Sequence, residues 1–276
     1  MNRFSLKVWI DGSGYPILCL HGHPGSGRSM SVFTEHFAQR FYTISPDLRG
    51  YGQSKTRENF VMLDHLDDLQ GVLDQYGIDR CLILGWSLGG IIALELAARF
   101  PDRVSGLILI ATSARPWGDH PKISFQDNLF TAIAGILNAV RPGWQWNIDT
   151  FAKRSLFRYL VRHHTPATYR YIASDAMYAF LKTSLAANRA LNAALSPGYY
   201  RVQNFEDISC PVLMLAGEHD RHITAISSVE TAKNLPNCEY KVYPNTAHLL
   251  PWEIPETILD DIDQWLDRHP ESWRRS

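Results

Sequence analysis

Leu82-Ile83-Leu84-Gly85-Trp86-Ser87-Leu88-Gly89-Gly90-Ile91-Ile92-Ala93 runs from a short apolar strand, through Gly-x-Ser-x-Gly, into a stretch of helical spacing. A serine in that setting sits on a strained strand-to-helix turn, a nucleophile elbow, with its hydroxyl exposed. Gly85 and Gly89 remove the side chains that would collide where strand and helix approach each other. Behind the serine, the helix N-terminus offers an amide to negative charge developing on a carbonyl oxygen. Ser87 is therefore the expected nucleophile.

A serine hydroxyl is a weak nucleophile at neutral pH, so it needs a base in reach and a third group to orient that base. Downstream of an elbow, the chain order is acid and then histidine, each in a loop after a late strand. Pro211 to Gly217 reads as such a strand and leads into Glu218-His219-Asp220, while Tyr240 to Tyr243 leads into Pro244-Asn245-Thr246-Ala247-His248. Asp220 and His248 are the expected partners, with Glu218 the rival acid because it stands closer to the strand end. His219 and His222 read as surface residues of the acid loop.

A second oxyanion donor is expected from Leu18-Cys19-Leu20-His21-Gly22-His23-Pro24-Gly25, just after an inner strand. The two donors are assigned to the backbone amides of His23 and Leu88. Gly22 and Gly25 let the chain bend closely round a substrate, and His21 reads as a residue that shapes this loop. The triad is complete without it.

Around the elbow, apolar β-branched runs alternate with longer helical patterns, the signature of βαβ units winding a mostly parallel sheet. Strands are expected at Leu6 to Ile10, Ile17 to Leu20, Phe41 to Ser45, Arg80 to Leu84, Val104 to Ala111, Val212 to Ala216 and Glu239 to Tyr243. The turn cluster Asp11-Gly12-Ser13-Gly14 makes the first two an expected antiparallel hairpin. Helices are expected at Ser29 to Gln39, Met62 to Tyr76, Leu88 to Arg99, Ala225 to Asn234 and Pro255 to Arg268.

The alternation stops after Ala111 and resumes only near Cys210, so roughly ninety residues are inserted between two strands. Helical spacing recurs there at Asp127 to Val140, Asp149 to His163, Pro166 to Leu181 and Ser184 to Ser196. The expected organisation is a core of residues 1–114 and 207–276 with a helical cap at 115–206. Trp86, Trp117, Phe130, Trp144, Trp146 and Trp252 are candidates to line an apolar acyl pocket beneath that cap.

These motifs resemble the α/β-hydrolase superfamily in its branch with a helical cap. Asp47-Leu48-Arg49-Gly50-Tyr51-Gly52-Gln53-Ser54 is similar to that branch's Asp-x-Arg-Gly-x-Gly-x-Ser loop, and His248 to Pro255 to its terminal His-x-x-x-x-Glu-x-Pro run. The resemblance implies an α/β fold with a mostly parallel sheet flanked by helices, and it covers nearly the whole chain outside the cap. Ser87 stands where related dehalogenases and epoxide hydrolases carry aspartate. The elbow looks most like that of short-chain carboxylesterases. The expected activity is hydrolysis of a small acyl ester or thioester through an acyl-enzyme, with neither metal nor organic cofactor. The same constellation also serves hydrolases of C–C, amide or lactone bonds and cofactor-free perhydrolases. A ligand sensor on the same fold, with little turnover, is the alternative outside enzymes.

The chain has 276 residues, 45% of them hydrophobic and 20% charged, with a formal net charge of −1. Such a balance gives no electrostatic reason to expect nucleic acid as a partner. The N-terminal residues lack the apolar run of a signal peptide and no later run suits membrane insertion, so a cytoplasmic protein is expected. The small net charge conceals an asymmetry, because residues 115–206 carry eleven Lys and Arg against five Asp and Glu, a net of +6. Lys153, Arg154, Arg158 and Arg162 have the spacing of one helical face, which suggests recognition of an anionic substrate or an acidic carrier protein.

Overall fold

The computed structural model describes residues 4–196, 198–205 and 207–273. Its seven strands are β1 (Val8–Gly12), β2 (Tyr15–Leu20), β3 (Phe41–Pro46), β4 (Cys81–Trp86), β5 (Val104–Ile110), β6 (Val212–Gly217) and β7 (Cys238–Tyr243). They form one sheet in the order β1-β3-β2-β4-β5-β6-β7. Every pairing is parallel except that of β1 with β3. This is an α/β-hydrolase fold.

The inner strands are apolar at successive positions because both sheet faces are covered. Ile17, Cys19, Leu82, Leu84, Ile108 and Ile110 pack into the core on one side. Their neighbours Leu18, Leu20, Ile83, Leu107 and Leu109 pack into the core on the other. Each such Leu or Ile contributes about 1.5–3 kcal/mol by leaving water. That rigidity holds the C-terminal ends of β2, β4, β6 and β7, where the candidate site lies.

The expected hairpin of the first two strands does not form. Strand β1 lies antiparallel against β3, with Asp11 beside Thr43, while β2 runs parallel to β3 on its other edge. Gly12 makes this path possible. It has a φ of +74°, and a Cβ there would collide with the backbone of Ala38 and Phe41.

Helices α1 (Ser31–Phe37), α2 (Asp64–Gln75) and α3 (Leu88–Arg99) fall in turn between β2, β3, β4 and β5. Helices α4 (Phe125–Val140), α5 (Gln145–Thr150), α6 (Phe157–Leu160), α7 (Pro166–Lys182) and α8 (Leu185–Leu195) all fall between β5 and its hydrogen-bonded neighbour β6. Then come α9 (Ala225–Asn234), α10 (Leu250–Glu253) and α11 (Pro255–Arg268).

One expected helix of the insertion is broken. Asp149 to His163 contains the end of α5, a 3-10 turn at Ala152–Arg154 and the single turn of α6. Ser155 accounts for the break, because its hydroxyl donates to Ala152 O at 2.8 Å and accepts from Phe157 N at 3.2 Å. The basic residues therefore do not form one helical face. Lys153 pairs with Asp149 at 2.5 Å, Arg158 with buried Asp127 at 2.7 Å, and Arg162 Nε donates to Asn245 Oδ1 at 2.9 Å.

Candidate active site

Strand β4 delivers Ser87 to the head of α3 with φ 54° and ψ −118°, a strained conformation for a non-glycine residue. Neighbouring chain holds it there. Ser87 N donates to Ile110 O at 2.8 Å, and Ser87 O accepts from Thr112 Oγ1 at 2.8 Å. A Cβ on Gly85 would stand 2.5 Å from Gly89 O, and one on Gly89 would collide with Leu20 O. Both glycines are thus required by close backbone approach.

The Ser87 Oγ lies 3.1 Å from His248 Nε2, and His248 Nδ1 lies 2.7 Å from Asp220 Oδ2. All three residues are buried. The second Asp220 oxygen accepts from His222 N at 2.8 Å and Ile223 N at 2.9 Å, which fixes the carboxylate. That carboxylate selects the tautomer with hydrogen on Nδ1 and leaves Nε2 free to accept from the serine. Glu218 is directed elsewhere. Its carboxylate is more than half exposed and accepts from Asn245 N at 3.0 Å.

Gly22 brings the β2 loop against the elbow, and a Cβ there would stand 2.7 Å from the Trp86 ring and 3.0 Å from Ser87 Cβ. His23 follows directly. Leu88 is the first residue of α3, and the bonds back to Ser87 O come from Gly90 and Ile91. Its own amide is thus one of the unpaired donors expected at a helix start. The ring of His21 makes two backbone contacts, accepting at Nε2 from Leu48 N at 3.1 Å and donating at Nδ1 to Gly22 O at 2.8 Å. It secures the loop.

Asp47 does similar work. Its carboxylate accepts from Gly27 N and Gln53 N, each at 2.7 Å. Arg49 is clamped by Asp68 at 2.7 Å through Nε, and this bond raises the guanidinium pKa.

Two of the pocket candidates stand beside the histidine. Trp86 packs edge-on against Trp252 at 4.6 Å between ring centres, and its own ring is 5.7 Å from that of His248. The ring contacts of the others are with different partners. Trp144 packs on Trp146 at 4.9 Å, while Phe130 and Trp146 each pack against Phe151 at 5.7 Å. Trp117 is exposed.

Histidines close one wall of the site. His222 stands edge-on to His248 at 4.7 Å and stacks on His120 at 5.9 Å, and His120 in turn stacks on Tyr159 at 5.8 Å. Solvent reaches His222, but surrounding protein desolvates it and neighbouring His248 opposes its charge, lowering its pKa to about 3. His23, bonded to Tyr51 at 2.9 Å, is lowered to about 4 by burial and then by His21. His222 is exposed, in keeping with its sequence reading as a surface residue of the acid loop. Its contact with His248 depends on loops far apart in the chain, and no local signal announces it.

Glu253 ties the insertion to this loop. Its carboxylate accepts from Arg162 N at 2.7 Å, His163 N at 2.6 Å and Ala247 N at 2.9 Å. The spacing from His248 to Glu253 and Pro255 was the available signal. Among the described residues, no group of three or more His, Cys, Asp or Glu is placed to hold a metal ion.

Residues 15–255 match the family model described as the alpha/beta hydrolase fold. The chain is 26% identical to a 2-(acetamidomethylene)succinate hydrolase of Mesorhizobium japonicum, over 97% of this chain and 93% of that one. It is 23% identical to a pimeloyl-[acyl-carrier protein] methyl ester esterase of Nitrosomonas europaea, over 94% and 98%. Among solved structures, a thermophilic esterase from Thermogutta terrifontis superimposes with a TM-score of 0.67 at 27% identity, covering 95% of this chain and 93% of that one.

Proposed function

The chain belongs to the α/β-hydrolase fold family, and from that premise we propose that it cleaves a carboxylic ester or thioester through an acyl-enzyme on Ser87. The observation that carries this reading is the continuous chain of contacts from Asp220 Oδ2 through His248 to Ser87 Oγ, at 2.7 and 3.1 Å.

In this reading His248 Nε2 takes the Ser87 proton as Oγ bonds to the acyl carbon. The carbonyl oxygen becomes negative, and the amides of His23 and Leu88 donate to it. His248 then gives the proton to the departing alkoxide or thiolate, and the carbon–leaving-group bond breaks. Water completes the cycle. It loses a proton to His248, attacks the acyl carbon and releases the acid with Ser87 restored.

Trp86, next to Ser87 in the chain, and Trp252 pack together beside His248, and these apolar surroundings favour an acyl group over a charged one at that point. Residues 115–206 act as a helical cap on a core of 1–114 and 207–276; Pro197, Glu206, residues 1–3 and residues 274–276 lie outside the described residues. The likeness to esterases over nearly the whole chain supports an ester bond as the target.

The test is turnover of p-nitrophenyl acyl esters and acyl thioesters of graded length. Saturable hydrolysis of at least one series by the parent, lost in Ser87→Ala, is the expected result. No turnover across both series would contradict the reading.

A further inference from the structure

Helix α4 is built inside out. At about 100° per residue, Phe125, Leu129, Ala132, Ile133, Ile136 and Val140 fall within about 100° of one another, forming one apolar stripe. In an ordinary surface helix that stripe faces the core. Here the residues turned inward are Asp127, Ala134 and Asn138. Asp127 is paired with Arg158, and Asn138 bridges Tyr169 O and Gly143 N at 2.7 and 2.9 Å. The apolar stripe is left in water, with Phe125 82%, Leu129 44%, Ile136 57% and Val140 80% exposed.

No charge interrupts this stripe over the 16 residues of the helix, about 24 Å of length. Exposed cations close its ends. Lys122 precedes the helix, and Arg141 follows it with its guanidinium 5.0 Å over the Trp144 ring. The sequence from 115 to 206, which includes the helix, carries a net charge of +6. Scattered exposed apolar residues need no explanation, but a continuous stripe of this kind marks a surface that meets another.

We propose that the outer face of α4 seats the protein on an anionic lipid surface. The stripe enters the boundary between headgroups and acyl chains, and Lys122 and Arg141 meet the headgroup charge. This is peripheral docking. Among the described residues no helix is long and apolar enough to cross a membrane. A second copy fits this face less well, because joining two insertions through their stripes brings two charges of +6 together. Docking does not depend on the assignment of Ser87, and it is read without any turnover.

The experiment is sedimentation of the full chain with vesicles of ether-linked phosphatidylcholine, with and without ether-linked phosphatidylglycerol. Ether lipids offer no ester to cleave. The parent should partition to the anionic vesicles at low salt and leave them as salt rises. Ile136→Glu with Val140→Glu should weaken that partitioning by about tenfold or more, since two charges then enter the apolar boundary. Lys122→Glu with Arg141→Glu should weaken it without touching the stripe. Thermal melting checks that each variant folds. Failure of the parent to bind anionic vesicles overturns the proposal, as does binding that the stripe substitutions leave unchanged. A concentration-dependent dimer dissolved by Ile136→Glu and Val140→Glu, or an acidic protein that binds in the lipid's place, overturns it too.

Discussion

The imidazole of His222 stands edge-on to that of His248, with 4.7 Å between ring centres, and stacks on His120 at 5.9 Å. His222 therefore limits how far the His248 ring can tilt away from Ser87. We predict that His222→Ala lowers kcat by about fivefold to tenfold with little change in KM, an effect on geometry and not on substrate binding. His222→Phe should restore most of the loss, because it replaces the ring. Equal damage from both variants would mean that the imidazole nitrogens, and not the packing, matter.

The two acids of the loop after β6 have different surroundings, and amide substitution separates them. Asp220→Asn should reduce kcat by about a thousandfold or more, since it removes both the orienting acceptor and the charge that supports imidazolium. Glu218→Gln should remain within about threefold of the parent, as its carboxylate meets only surface groups. Steady-state kinetics on one ester decides the matter, and the opposite ranking would remove Asp220 from the proposed triad.

Glu253 accepts three backbone amides from two separate segments, so Glu253→Gln replaces one acceptor oxygen by a donor facing another donor. A loss of about 1–3 kcal/mol in stability is expected. The check is the urea midpoint. A midpoint equal to the parent's would show that the stitch between the insertion and the His248 loop contributes nothing.

The fold was largely legible in the sequence because its determinants are local. Gly85, Ser87 and Gly89 specify the elbow through backbone crowding, and the order of Ser87, Asp220 and His248 follows from which strand precedes each loop. Two of the features that departed from expectation were not local, and the third, the break at Ser155, was a local contact that spacing does not reveal. Helical spacing located a helix near α4 but not which face it buries, and Asp127 and Asn138 face inward because Arg158 and Tyr169 meet them there. The pairing of β1 depended on β3, thirty residues onward. Ser155 ended a helix that the aromatic spacing alone would have continued.

Burial gives the protein a pH dependence separate from its chemistry. His65 is fully enclosed beside Tyr51 and Phe60, and desolvation, then His21 and Arg49, lower its pKa to about 3. Below its ordinary pKa of about 6.5 the unfolded chain takes a proton that the folded chain refuses, so stability falls as pH drops from about 6.5 toward 3. By pH 5 the loss from this one group is about 2 kcal/mol. Urea unfolding at pH 7.5 and pH 5 should show the decline, and His65→Phe should reduce it by about 2 kcal/mol, leaving the share of the other lowered histidines. A decline equal to the parent's in that variant would place the linkage elsewhere.

The central claim is a covalent acyl-enzyme on Ser87, and intact-protein mass measurement of acid-quenched turnover tests it most directly. With a slowly deacylated p-nitrophenyl ester, the parent should gain the mass of one acyl group, located by peptide mapping to the segment that carries Ser87. Ser87→Ala should gain none. An adduct on another residue, or Ser87→Ala turning over within tenfold of the parent, would contradict the account.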